Sequence, residues 1–152
     1  MAVEYRLAIA GDIPLDRVVE HAVPGVVGRP LPAEAAGRLS VDLSDRLGFT
    51  LIARSGRDGY YEAEDDGGSR WEWEPSTYVN VTFRMAKQDD VDTGVRSMIA
   101  AVSRVLTRQT EDATLILNSE VLLLTRFTGS LRKHHRALWW DHYGFVDDIL
   151  PD

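Results

Sequence analysis

The sequence predicts an α+β fold: one domain over residues 1–152, with an antiparallel sheet of about six strands packed against one long and one short helix. Three stretches carry that expectation. Residues 76–86 (STYVNVTFRMA) alternate polar and apolar side chains with the period of a half-buried strand. Residues 91–106 set Val91, Val95, Met98, Ile99, Val102, Val105 and Leu106 on one helical stripe. Residues 113–131 hold two apolar runs, 113–117 and 121–124, parted by Asn118-Ser119-Glu120. Asn and Ser support turns through local hydrogen bonds, so this is a tight hairpin at the sheet centre, with a third strand from Leu131.

The other elements follow in order. Residues 4–10 alternate, with Tyr5, Leu7 and Ile9 on one face, and stop at Gly11-Asp12. Asp12 is placed to cap the short helix, Pro14 suits its first turn, and Leu15, Val18 and Val19 keep helical spacing up to His21. Residues 23–37 are an irregular, Pro- and Gly-rich connector, with one helical turn expected at 33–36. Residues 38–46 read as a short strand and 48–54 as a clearer one. In residues 60–74 (YYEAEDDGGSRWEWE), Asp65-Asp66-Gly67-Gly68 is a hairpin turn between alternating segments. Tyr61, Ala63, Trp71 and Trp73 then share one face, and Glu62, Glu64, Glu72 and Glu74 the other. Asp89-Asp90 supplies the cap of the long helix. Of Trp139-Trp140, one ring is expected in the core and the other partly exposed.

Composition bounds the function. An apolar content of 44% and a charged content of 27% are those of an ordinary soluble domain. The absence of cysteine excludes disulfides, zinc-thiolate sites and cysteine nucleophiles. The N-terminus lacks a signal-peptide core, and no run approaches the ~18 apolar residues of a membrane span, so a cytoplasmic protein without a membrane partner is expected. A net charge of −7 argues against a nucleic-acid partner, whose phosphates need a basic face, and favours a basic protein partner. The chain has no Gly-x-Gly-x-x-Gly, Walker, Gly-x-Ser-x-Gly or His-Glu-x-x-His pattern, and it implies no cofactor.

Two stretches are candidate sites. The acidic, aromatic hairpin offers Glu62, Glu64, Asp65, Asp66, Trp71 and Trp73, a composition suited to an interface. A basic run, Arg132 to Arg136, leads to His134, His135, Asp141 and His142, residue types that serve a small hydrolase or nuclease or ligate zinc. Adjacent histidines diverge in regular structure, and the basic run is expected to pair with the acidic tail at Asp147, Asp148 and Asp152. A small-ligand-binding or structural domain is a third reading.

The second half carries a likeness. The strand Tyr78-Val79-Asn80-Val81-Thr82-Phe83-Arg84 precedes a helix ending Ala101-Val102-Ser103-Arg104-Val105-Leu106. The hairpin from Asp112 to Arg126, Gly129-Ser130-Leu131 and Trp139-Trp140 follow. Over residues 78–140 this resembles the Sit-type immunity-protein family of bacterial polymorphic toxin systems. Where that family carries an Asn-bearing turn and strand after Gly129-Ser130-Leu131, this chain has Arg132-Lys133-His134-His135. The resemblance implies protection of the producing cell by stoichiometric binding of a cognate toxin. It brings no catalytic motif, so the protein is expected not to be an enzyme.

Overall fold

Alternation along each long strand decides which side chains meet the helices. In the computed structural model, which describes residues 3–25, 37–87 and 90–151, nine strands form one sheet among the described residues. They are β1 (Glu4–Ala10), β2 (Arg38–Leu43), β3 (Phe49–Arg57), β4 (Tyr61–Glu64), β5 (Arg70–Trp73), β6 (Thr77–Met85), β7 (Ala113–Leu117), β8 (Val121–Phe127) and β9 (Ser130–Lys133). Helix α1 (Leu15–Ala22) follows β1, and α2 (Val91–Arg108) follows β6. The helical turn expected at 33–36 lies outside the described residues.

The strand order is β2-β3-β6-β1-β7-β8-β4-β5, with β9 also on β8. Every pairing is antiparallel except one parallel bridge, Glu64 opposite Val121, between β4 and β8. Nine strands correct the expected number of about six. Strands β4, β5 and β9, four residues each, lie where the 60–74 hairpin and the strand from Leu131 are expected, but their joining the same sheet is not expected. Tertiary pairing brings them in, and β8 recruits two of the three.

Both helices cover one face of the sheet. Leu7, Ile9, Leu51, Val81 and Leu115 point to that side and meet Met98, Ile99 and Val102 of α2. Phe49 and Phe83 pack edge to face at 5.0 Å. Asp90 caps α2, accepting from the Thr93 N–H at 3.2 Å. Asp12 does not cap α1: Pro14 holds the N-cap position, without a side-chain cap. Arginines from elsewhere close both helix C-termini. Arg104 of α2 donates twice to the Ala22 carbonyl ending α1, and Arg126 of β8 donates to Leu106 and Gln109 carbonyls at the end of α2.

In the β7–β8 ladder Leu115 faces Leu124 but Ile116 faces Leu122, so Leu123 is an extra, bulged residue. Its carbonyl accepts the His134 N–H at 2.8 Å and the Trp140 indole N–H at 2.9 Å. Trp139 and Trp140 are both buried, correcting the expectation that one is exposed. A π-helical turn at Arg136–Trp140 turns both rings inward, where Trp139 donates to Tyr5 Oη at 3.2 Å.

The second face is covered differently. β3 and β6 pair as far as Arg57 and Thr77, and the ladder continues through Asp58 N–H to the Ser76 carbonyl and Gly59 N–H to the Pro75 carbonyl. The β4–β5 hairpin is therefore the tip of one long hairpin, folded back over the sheet. Beneath it lies a second, smaller core of Ala8, Ile116 and Leu122 from the sheet and Tyr61 and Ala63 from the hairpin. The fold-back requires glycine where the Tyr78 ring crosses the chain. A Cβ at Gly59 would lie 2.8 Å from Tyr78 Cδ2, and one at Gly56 would overlap the phenol. Gly56→Ala is expected to destabilise the protein by about 1–3 kcal/mol through overpacking. Chemical denaturation measures it, with intrinsic Trp fluorescence reporting the displaced hairpin.

Candidate functional site

The hairpin presents two unlike faces because its strands alternate in register. Tyr61 pairs with Trp73, Glu62 with Glu72, Ala63 with Trp71 and Glu64 with Arg70. Tyr61 and Ala63 are buried, Trp71 and Trp73 half-buried, and Glu62, Glu64 and Glu72 exposed. The expected division of faces is present, but the indoles are not free. Trp71 stacks on Phe127 of β8 at 6.3 Å between centroids, and Trp73 meets the same ring edge-on at 5.4 Å. On the outer face, Glu62 and Glu72 oppose one another, a repulsive cross-strand pair. Arg70 relieves it, contacting Glu62 and placing Nε 2.9 Å from Glu72.

The turn is built by its own carboxylates. Asp65 Oδ1 accepts from the Gly67 N–H at 2.9 Å and the Ser69 N–H at 3.0 Å, and Gly68 takes a φ of 77°. Asp66 instead points to the segment after β9. It accepts the His135 N–H, and His135 Nε2 pairs with the Glu64 carbonyl at 2.9 Å. The structure thus joins the two stretches that the sequence offers separately. The acidic turn docks on the basic run. The expected pairing with the tail is also made, at Asp147, which holds Lys133 at 2.8 Å and Arg136 at 3.0 Å. The hydrogen bond from Lys133 is the main cause that keeps the Asp147 carboxyl below its ordinary range.

The histidine cluster does not converge. His134 is buried, with Nε2 3.1 Å from Thr125 Oγ1. His135 is committed to the hairpin backbone. Asp141 and His142 face solvent, His142 lying edge-on against Tyr143 at 4.6 Å. Among the described residues, no group of three or more His, Cys, Asp or Glu side chains is placed to hold a metal ion.

Burial pushes the His134 imidazole below its ordinary pKa of 6.5, partly opposed by the Asp66 charge. Below 6.5 the unfolded chain binds a proton that the folded chain refuses, so this contribution to stability is complete above 6.5 and is lost as pH falls through the depressed folded value. The melting temperature is therefore expected to drop between about pH 7 and 5, and His134→Gln to flatten that drop.

Two clefts flank the hairpin. On its outer side, Glu62, Glu64, Arg70, Ser119 and Glu120 border an open space of roughly 490 Å³. On its inner side, a second of roughly 340 Å³ reaches down to His134. Sequence reasoning missed Thr125 and Phe127, which line the inner cleft from β8 beside Arg132 of the basic run. The signal was the polar–aromatic alternation of Thr125 and Phe127 just beyond the apolar run 121–124.

No curated protein and no solved structure matches the chain. A family model described as SitI3-like matches residues 3–144, and SitI names belong to immunity proteins of toxin systems. That match spans nearly the whole fold, from β1 through the buried Trp139-Trp140 pair to the turn after it. The chain belongs to the SitI3-like family.

Proposed function

We propose that this protein is a cytoplasmic immunity protein that neutralises a cognate, basic toxin domain by stoichiometric binding through the β4–β5 hairpin. Glu62, Glu64, Asp65, Asp66, Trp71 and Trp73 form the surface. The observation that carries this reading is the hairpin's mounting. An acidic ridge with half-buried indoles at its flank is seated on its own small core and pinned at its turn by His135. A ridge so held loses little freedom on binding, which favours tight association. Its exposed carboxylates suit steering of a basic partner. Family membership supports the immunity role. The hydrolase reading has no converging side chains behind it, since His134 is buried against Thr125 and His135 is bonded to the hairpin while Asp141 and His142 face solvent.

The test uses the toxin domain encoded beside this protein. Calorimetry is expected to give equimolar binding with a dissociation constant of about nanomolar or tighter. Glu62→Lys with Glu64→Lys, which spare the Asp65 turn and the Asp66 docking, are expected to weaken binding by about a hundredfold, mostly through a slower on-rate. Unaltered affinity would remove the hairpin from the interface, and absence of binding would remove the function.

A further inference from the structure

The inner cleft has a more specific chemistry than the ridge around it. Its wall is the Trp71–Phe127 pair, whose rings lie within 24° of parallel. Its charged end is Asp66, with Oδ2 3.7 Å from both Arg132 Nη2 and His134 Nδ1. Both separations exceed hydrogen-bond reach, so this oxygen is open to a better donor. Its floor is the His134 side chain, only 7% exposed, whose Nδ1 makes no hydrogen bond. A buried ring nitrogen without a partner is unfavourable, and a guest that supplies one recovers that loss.

These features select among guests. A carboxylate or phosphate meets Asp66 with like charge. A hydrocarbon covers the rings but leaves Asp66 Oδ2 and His134 Nδ1 unpaired. An ammonium is compact and strongly hydrated, and matches the flat ring wall poorly. A guanidinium is planar, stacks on aromatic faces and carries several N–H donors in a fixed fork. One donor reaches Asp66 Oδ2 while another reaches His134 Nδ1, which presents its lone pair when Nε2–H donates to Thr125 Oγ1. Arg132, with a side chain 70% exposed, swings to solvent as the guest enters. The volume of roughly 340 Å³ is at the low end for ligand pockets and fits one long side chain.

We propose that this cleft is an arginine-recognition pocket, which takes the guanidinium of one arginine of the toxin against the Trp71–Phe127 wall and onto Asp66 and His134. The identity of the arginine's owner rests on the toxin-binding function above; the pocket's preference for a guanidinium does not.

The test titrates N-acetyl-arginine amide into the full-length protein and follows the Trp71 indole and His134 ring signals by NMR. Saturable shifts at both residues are expected, with a dissociation constant of the order of millimolar. The bound cation is expected to move the His134 titration to lower pH. N-acetyl-citrulline amide, with a similar shape and no charge, is expected to bind at least about tenfold more weakly. Trp71→Leu, or Phe127→Leu if the first variant is misfolded by circular dichroism, is expected to lose binding by a similar factor. Equal binding of the citrulline compound, unsaturable shifts, or indifference to both variants would overturn the proposal. Failure of this probe leaves toxin binding standing, whereas a toxin that does not bind leaves the pocket's affinity for arginine intact.

Discussion

Arg126→Leu is expected to lower stability by roughly 3–5 kcal/mol and the melting temperature by about 10 °C or more. Arg126 is 9% exposed and donates to three carbonyls: Leu106 and Gln109 at 2.5 Å and Glu111 at 2.7 Å. Two of them end α2, where the helix dipole favours a cation. Burial lowers the guanidinium pKa, but arginine stays charged at neutral pH. Leucine fills the volume and leaves three acceptors without their donor. Arg126→Lys restores the charge but not the three-way fork, so it is expected to fall between wild type and leucine. Arg104→Gln, which removes the equivalent group from a less buried site, is expected to cost about 1 kcal/mol. Urea denaturation of the three variants checks the order, and equal losses at 104 and 126 would contradict it.

Trp140→Ala is expected to cost about 3–5 kcal/mol, the range for removing a large aromatic from a core. Trp140 is fully buried, packs edge to face on Trp139 at 4.7 Å and lies under the Lys133 ammonium at 4.8 Å. Its indole also closes the carbonyl of the bulged Leu123. The loss should therefore spread along the chain through His134 to His135, which anchors the hairpin turn through Asp66 and Glu64. Trp140→Phe keeps most of the packing and drops only the hydrogen bond, and is expected to cost about 1–2 kcal/mol. A joint measurement of stability and toxin affinity separates the two consequences.

The helix-facing half of the fold was legible because burial on one side imposes a period. Tyr5, Leu7 and Ile9, the Val79–Phe83 alternation and the stripe of α2 all meet in one core. The assembly of the other half was not legible, for two physical reasons. Alternation and turn residues mark β4, β5 and β9 as strands but not their partners, and strands of four residues became part of this sheet only through tertiary pairing. The fold-back also depends on contacts distant in sequence: Asp66 meets His135 across 69 residues, and Tyr61 meets Asn80 across 19. Alternation showed which hairpin side chains share a face, but not that Trp71 and Trp73 rest on Phe127. The Leu123 bulge, which turns the basic run toward the hairpin, is likewise invisible in an unbroken run of leucines.

The hairpin joins the sheet by a single parallel bridge, with the Glu64 N–H on the Glu120 carbonyl, beside the antiparallel ladders that bind every other strand. Its seat is otherwise the smaller core and the His135 contacts, so the tip is held as one unit that opens separately from the helix-facing core. Amide hydrogen exchange should resolve two cooperative units, with β4 and β5 exchanging well before β1, β6 and β7. A partner that clamps the tip would slow the first unit alone, which makes exchange at β4 a direct readout of occupancy.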